Sequence, residues 1–204
     1  MKSRSSVARE PLSRRRFALT AAALAVSLAG CRRAEPTTYG INITGAAYGR
    51  DFELRDPDGQ TRHLADFAGK VVLLFFGFTQ CPDICPTALT RAAAVCDLLG
   101  ASARQLQVLF VTIDPERDTP ELLRNYTAAF HPDFMGLYAD AAGTAKVAQE
   151  FKVFYNKVPT GSSYTMDHTA LSFLIDPRGR IRLAVLHQQS AANLALAIKD
   201  LLEQ

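Results

Sequence analysis

A continuous apolar run, VVLLFFGF at residues 71–78, constrains the fold of this chain more than any other feature. Because polar and apolar residues do not alternate in it, the run predicts a strand that is buried on both faces, near the middle of a sheet. A second run of this kind, LQVLFVTID, occupies residues 106–114. Helical periodicity follows each run, at residues 86–100 and 119–130. Strands that alternate with helices predict parallel pairing in an α/β fold.

The flanking segments extend this order of elements. Before the first buried strand, turn residues at 56–59 predict a β-hairpin over residues 52–67. After the second helix we expect a short strand, a helix, an antiparallel hairpin and a last helix, at residues 134–138, 144–151, 169–187 and 191–202. The whole order predicts a thioredoxin-like α/β fold, in which a central mixed β-sheet is flanked by helices and an extra N-terminal β-hairpin precedes it.

The first 30 residues have the pattern of a targeting segment. A basic region ends at Arg16, and the uncharged run at residues 17–29 is shorter than the roughly 20 residues that span a bilayer, which favours a cleaved signal peptide. The string SRRRFAL resembles a twin-arginine export signal, and LAGC resembles a lipobox whose cysteine, Cys31, is lipidated. We therefore expect a signal peptide at residues 1–30 and a lipidated Cys31 with a flexible tether at residues 31–48. A folded domain at residues 49–204 would then be anchored to the cell membrane by lipid, facing the periplasm.

The charge of the chain is concentrated in the predicted signal peptide. The formal net charge is +3, but residues 1–30 hold six of the 23 basic residues and only one of the 20 acidic residues. The remainder carries 17 basic and 19 acidic residues, and its net charge is −2. Nucleic-acid binding requires a strongly basic surface, so we expect no nucleic-acid partner.

Two cysteines lie where the first buried strand passes into the first helix. Cys81 follows the strand and Cys85 falls in the opening turn of the helix, so both sulfurs can lie on one face. The N-terminus of a helix favours the thiolate form. Such a pair suits disulfide exchange or a soft metal ion. A structural disulfide that closes a short loop is disfavoured, because ligands bind at this position in open α/β sheets.

A histidine enters the same region from a distant part of the chain. His168 immediately precedes the predicted strand at residues 169–176, which lies beside the central strand in a thioredoxin-like layout. We expect the loop that carries His168 to pack against the N-terminus of the first helix, so that the ring reaches both cysteines. Two thiolates and one imidazole suit Cu(I), and with a further weak ligand they also suit Cu(II).

Three segments resemble the signature blocks of the Sco/SenC family and occur in the family's order. They are GKVVLLFFGFTQCPDICPTAL, VTIDPERDTP and MDHTALSFLIDPRG. The resemblance extends from about residue 52 to residue 204, and a CxxxCP motif with a distant DHT is specific. It implies a thioredoxin fold and one copper ion per chain, bound by Cys81, Cys85 and His168. It also implies that Asp167, which precedes the histidine, orients the imidazole ring.

The function implied by this resemblance is the delivery of copper to the CuA site of cytochrome c oxidase. The expected partners are the oxidase subunit that bears CuA and other copper chaperones. The alternative is a thiol-disulfide oxidoreductase that keeps the acceptor's cysteines reduced, with Cys81 and Cys85 as the redox-active pair. We expect a metallochaperone rather than an enzyme, since no general base is placed for zinc hydrolysis. A peroxiredoxin-like peroxidase is disfavoured because Phe78 stands where those enzymes have Thr or Ser.

Other residues of metal-ligand type receive structural interpretations. Cys96 lies on the apolar face of the first helix and is expected in the core. Met166 is expected to pack rather than to bind metal. The remaining histidines have no partner at metal-ligand spacing: His63, His131 and His187. The DPERDTP loop at residues 114–120 emerges on the same edge as the cysteines. It is a candidate docking surface, although turn formation and helix capping already account for its composition.

Overall fold

The computed structural model describes residues 39–204 of the chain. The predicted signal peptide, the predicted lipidated Cys31 and the first part of the predicted tether lie outside the described residues. Along the described chain the elements are β1 (Ile41–Asn42), β2 (Leu54–Arg55), β3 (Thr61–Arg62), β4 (Val71–Gly77), α1 (Ile84–Leu99), β5 (Leu106–Thr112), α2 (Pro120–Ala128), β6 (Met135–Leu137), α3 (Ala141–Glu150), β7 (Tyr155–Thr160), β8 (Ser163–His168), β9 (Leu171–Ile175), β10 (Ile181–Leu186) and α4 (Ala191–Leu202).

A six-stranded mixed sheet forms the centre of the domain, with the strand order β1-β10-β9-β4-β5-β6. Strand β4 pairs in parallel with β5 and antiparallel with β9. Every residue of β4 and of β5 is buried, which confirms the prediction of two strands covered on both faces. Strands β2 and β3 form the predicted N-terminal hairpin as a separate small sheet.

The helices begin and end close to the predicted positions. Helix α1 starts at Ile84, two residues before the expected start, and it ends at Leu99, followed by Gly100, whose φ of 56° favours glycine. At the start of α2 the hydroxyl of Thr119 accepts a hydrogen bond from the amide of Leu122, and Pro120 follows as the first helical residue. Helix α4 has the predicted bounds, and it packs against α1.

Segment Ile84–Gln105, which comprises α1 and the 3₁₀ turn after it, is long and apolar enough to cross a membrane by length and composition, with a mean hydropathy of 1.3. Its apolar side chains, however, contribute to the hydrophobic core of the domain. Ala88, Leu89, Ala92 and Val95 are each at most 5% exposed. This burial is typical of the core helix of a globular domain.

Two elements differ from the sequence-based prediction. Residues 41–42 fall within the predicted flexible tether, yet they form strand β1 and pair with Leu183 and Ala184 of β10. The predicted loop before β9 is instead the second strand of a hairpin, in which β7 and β8 pair antiparallel with each other. His168 is therefore the last residue of a strand rather than part of a loop. This hairpin forms a two-stranded sheet separate from the main sheet.

Candidate metal centre

Three elements bring Cys81, Cys85 and His168 together at the carboxyl end of β4. Cys81 lies in the short loop between β4 and α1, Cys85 is the second residue of α1, and His168 ends β8. Their sulfur and ring nitrogen atoms all lie within 4.8 Å of one another. Sequence reasoning therefore predicted the convergence of the three residues, but it placed the histidine on the wrong kind of element.

The spacing of these atoms fits a bound metal ion. Thiolate sulfur and imidazole nitrogen lie a little over 2 Å from such an ion, so two ligands of one ion are separated by about 3.5–4 Å. The Sγ atom of Cys85 lies 3.9 Å from Nε2 of His168. Since no pair exceeds 4.8 Å, a contraction of about 1 Å would complete a three-ligand set. Two soft sulfurs and one imidazole favour copper or zinc over the hard cations.

The ring of His168 is held in one orientation by its surroundings. Its Nδ1 atom lies 3.1 Å from the carbonyl oxygen of Thr169. When Nδ1–H donates to this oxygen, Nε2 keeps its lone pair and faces the cysteines. The rings of Phe75 and Phe78 meet the imidazole edge-on, each at a centroid distance of 6.1 Å. The imidazole is therefore oriented before any ion binds.

The role of Asp167 in orienting the imidazole stays a prediction, and the group that lies beside Nδ1 of His168 is the carbonyl of Thr169. Side chains alternate between the two faces of a strand. Along β8, Met166 is buried and His168 half-buried, whereas Asp167 between them is exposed on the other face. Every residue has a backbone carbonyl, so the sequence does not indicate which one contacts the ring, and sequence reasoning could not identify the carbonyl of Thr169 as the partner of His168.

The two thiols differ in their acidity. The Cys85 thiol hydrogen-bonds to the sulfur of Cys81 and lowers the pKa of Cys81 far below its ordinary value, with help from His168 and from the backbone amide of Cys85. That amide lies 3.4 Å from the Cys81 sulfur and belongs to the N-terminus of α1. The same contact, together with burial, raises the pKa of Cys85. These contacts favour the thiolate form at Cys81 and the protonated form at Cys85.

A buried carboxylate fixes the loop that carries Cys81. Asp118 is 1% exposed and accepts hydrogen bonds from the amide and the hydroxyl of Thr79 and from the hydroxyl of Thr112. Burial raises the pKa of this carboxyl group. Asp118 lies in the DPERDTP loop, whose composition sequence reasoning explained by turns and caps. The loop therefore also supports the cysteine loop, two residues before Cys81.

The residues that sequence reasoning declined as ligands have structural roles. Cys96 is 8% exposed and Met166 is 5% exposed, and both belong to the hydrophobic core, as predicted. The remaining histidines contact other groups: His63 lies beside Asp51, His131 stacks on Phe134, and the carbonyl of His187 accepts a hydrogen bond from Arg91. In the described residues, Cys81, Cys85 and Cys96 are free cysteines.

The family is decided by comparison with known proteins, because a family model described as SCO1/SenC matches residues 42–203. The chain belongs to the SCO1/SenC family. An SCO2-like protein of Rickettsia felis is 39% identical to this SCO1/SenC protein over 151 residues, which make up 72% of this chain and 74% of the relative.

Solved structures of SCO1/SenC proteins confirm the thioredoxin-like fold. ScoI of Bradyrhizobium japonicum, solved with copper bound, is 39% identical, with a TM-score of 0.70 over 76% of this chain and 99% of that chain. Yeast Sco1 with copper bound is 29% identical, with a TM-score of 0.70 over 77% and 89% of the two chains. BsSco, described as having a disulfide switch and as a member of the Sco family of cytochrome c oxidase assembly proteins, is 20% identical with a TM-score of 0.63, and it supports the fold alone.

Proposed function

We propose that this chain binds one copper ion through Cys81, Cys85 and His168 and delivers it to the CuA site of cytochrome c oxidase. The observation that carries the proposal is the convergence of two thiols and one oriented imidazole within 4.8 Å, in a chain of the SCO1/SenC family. Relatives in Bradyrhizobium japonicum and in yeast hold copper. The Sco family is described as one of cytochrome c oxidase assembly proteins.

The ligand set suits a cargo that must be held and then released. Two thiolates and one imidazole are ligands that Cu(I) accepts, and the two thiolates would hold the ion until a partner with its own soft ligands exchanges with them. Cys85 is fully buried, whereas Cys81 and His168 are half-buried and open toward solvent. An acceptor with its own soft ligands could therefore approach from the side of Cys81 and His168. The partners proposed on this basis are the oxidase subunit that bears CuA and other copper chaperones.

The chain's own residues prepare the site for this exchange. The helix amide of Cys85 and the neighbouring thiol keep Cys81 deprotonated, so its sulfur can bind the ion without first losing a proton. The Thr169 carbonyl holds Nδ1–H of His168 and leaves Nε2 free to bind. Copper binding would then release a proton chiefly from Cys85, whose pKa is raised.

The thiol chemistry of the pair supports a second candidate function. A thiolate at Cys81 beside a protonated thiol at Cys85 is the arrangement used for thiol-disulfide exchange. The description of BsSco refers to a disulfide switch. In this alternative the chain reduces a disulfide of the acceptor to two thiols, Cys81 and Cys85 become joined in a disulfide, and His168 is dispensable.

Metal analysis of the purified full-length chain, with point variants, tests the copper proposal. We expect one copper per chain, and a Cu(II)-loaded form with a thiolate-to-copper charge-transfer band that disappears in Cys81→Ser and Cys85→Ser. His168→Ala should weaken copper binding by at least about 10–100-fold, the loss found when only the support of a ligand is removed, and should impair oxidase assembly, since it removes one ligand of three. His131→Ala, which alters a histidine outside the site, is the matched control. If His168→Ala preserves both copper affinity and oxidase assembly, the copper proposal is refuted and the thiol alternative gains.

The site of action is part of the proposal. We propose that Cys31 carries a lipid that anchors the domain to the cell membrane on the periplasmic side. Incorporation of labelled fatty acid into the wild-type chain, and its loss in Cys31→Ala, would support the anchor. Release of the wild-type chain from membranes by high salt alone would contradict it, because lipid anchoring does not depend on charge.

A further inference from the structure

The β7–β8 hairpin carries one of the three candidate ligands, yet it lies outside the main sheet. A two-stranded hairpin is at best marginally stable in water on its own. The distance from His168 to the two cysteines therefore depends on how this hairpin is attached to the rest of the domain. The residues that attach the hairpin therefore determine whether His168 can bind the same ion as the two cysteines.

One face of β8 makes the attachment. Because side chains alternate along a strand, residues 164, 166 and 168 share a face. Met166 is buried in the core, and His168 lies against Phe75 and Phe78. Tyr164, at the other end of this face, contacts the loop at residues 113–119, between β5 and α2.

Arg117 is the centre of that contact. Its guanidinium lies 3.7 Å from the centroid of the Tyr164 ring, and its Nη1 atom donates to the carbonyl oxygen of Tyr164 at 2.8 Å. Its Nε atom donates to the carboxylate of Asp114, whose other oxygen accepts a hydrogen bond from the Tyr164 hydroxyl at 2.8 Å. Nη1 also lies 3.1 Å from the side-chain oxygen of Gln80, the residue before Cys81. A single side chain thus joins the hairpin, the DPERDTP loop and the cysteine loop.

This contact is shielded from water. The side chain of Asp114 is fully buried and that of Arg117 is 16% exposed, so the charge-assisted hydrogen bonds are stronger than those of a surface pair. A second ion pair, between Lys157 and Glu116, joins the same two segments. Its side chains are 44% and 61% exposed, and solvent screening leaves it a small contribution.

We propose that Arg117 is a positioning residue that holds His168 against the two cysteines and thereby slows the loss of copper, an inference that rests on the proposed function. Without the guanidinium, Tyr164 loses its cation–π contact and a hydrogen bond to its carbonyl, and the hairpin can move away from the domain. The cysteine loop loses one hydrogen bond, at Gln80, but Asp118 still supports it through Thr79. The expected consequence is a site that retains its thiolates and loses its imidazole.

The test compares Arg117→Met with the wild-type full-length chain, each loaded with one copper. Transfer of Cu(I) to excess bathocuproine disulfonate should be about tenfold faster in the variant or faster still, a factor that one charge-assisted hydrogen bond commonly accounts for. In the Cu(II)-loaded form, the charge-transfer band should shift toward that of His168→Ala. Adding Arg117→Met to His168→Ala should produce no further increase in the transfer rate, because Arg117 acts through the ring that is already absent.

Arg182→Met is the matched control. The side chain of Arg182 is 17% exposed and pairs with Asp176, which is 2% exposed and also pairs with Arg180, so its removal disrupts a buried ion pair away from the site. It should cost stability and leave copper transfer at the wild-type rate. Arg117→Lys, a milder change, keeps the charge but cannot reproduce all three hydrogen bonds and the stacking, and we expect an intermediate rate.

Three results would overturn the inference. The first is a wild-type transfer rate in Arg117→Met and Arg117→Lys. The second is an equal acceleration by Arg117→Met in the presence and absence of His168, which would mean that Arg117 acts through the cysteine loop or through overall stability. The third is an acceleration by Arg182→Met as large as that by Arg117→Met. Failure of the proposed function is distinguishable, because the wild-type chain would then bind no copper at all.

Discussion

Gly77, the last residue of β4, leaves the space that the sulfur of Cys85 occupies. A Cβ atom added at this position would lie 2.7 Å from Sγ of Cys85, 2.8 Å from Cε2 of Phe110 and 2.9 Å from Cε1 of Phe75. Carbon atoms in contact are separated by about 3.5–4 Å, so Gly77→Ala must move these groups by about 1 Å. Phe75 and Phe110 are packed in the core, and the sulfur can be displaced toward the other ligands or the solvent.

Gly77→Ala should lower both the free energy of unfolding and the affinity for copper. Overpacking a filled core commonly lowers the free energy of unfolding by about 1–3 kcal/mol, and denaturant unfolding of the metal-free protein measures this loss. A ligand displaced by about 1 Å no longer matches a bond of a little over 2 Å. We therefore expect copper affinity to fall by about 10–100-fold, as it does when support for a metal ligand is removed. Competition with a Cu(I) chelator measures this second loss.

Gly136→Ala separates these two effects. Gly136 also lies in a strand of the main sheet, and a Cβ atom there would lie 2.9 Å from Cβ of Leu123, away from the cysteines. This variant should lose stability and keep the copper affinity of the wild type. Equal copper affinity in Gly77→Ala, Gly136→Ala and the wild-type chain would refute the reasoning that Gly77 sets the position of the Cys85 sulfur.

Three further predictions follow from the site. The lowered pKa of Cys81 favours its thiolate form even at pH 6, whereas the pKa of Cys96 is raised. Iodoacetamide should therefore alkylate Cys81 at pH 6 in the metal-free protein and leave Cys96 unmodified, as measured by mass spectrometry. Alkylation of Cys81 and Cys96 only at high pH would contradict this. Asp118→Ala should lower the free energy of unfolding by about 2–4 kcal/mol, since the amide and hydroxyl of Thr79 lose their acceptor, and an unchanged denaturation midpoint would disprove it. Phe154 is 66% exposed, and its backbone pairs with Thr169, the residue after His168. An exposed aromatic ring beside a site can dock a partner, so Phe154→Ala should slow copper transfer to a CuA acceptor domain and preserve copper affinity, and equal transfer rates would exclude Phe154 as a docking residue.

The central part of the fold was predictable because its signals are local. The apolar runs that become β4 and β5 have no alternative to full burial, and Thr119 with Pro120 marks the start of α2 by local chemistry. The two cysteines were placed correctly for the same reason, since the strand and helix that carry them follow one another directly along the chain.

The β7–β8 hairpin was not predicted because its stability is not local. Half of its strand residues are exposed, and Pro159 interrupts the first strand, which shows no regular alternation of polar and apolar residues. In the second strand Tyr164 and Met166 do alternate with polar residues, but over only six residues, and this signal was missed. The contacts that attach the hairpin are distant along the chain: Met166 packs in the core, and Tyr164 contacts Arg117, 47 residues away. Strand β1 escaped prediction in a similar way, because two exposed residues pair with β10 through backbone groups alone.

The three candidate ligands differ in how firmly the fold holds them, and this difference implies an order of release. Cys85 is fully buried at the start of a core helix. Cys81 lies in a short loop that Asp118 supports through Thr79. His168 lies on a hairpin held largely by side-chain contacts, and it is the ligand that can leave with the least disruption of the core. An acceptor that displaces His168 first would meet the exposed side of Cys81 next, and the buried sulfur of Cys85 would be the last to release the ion.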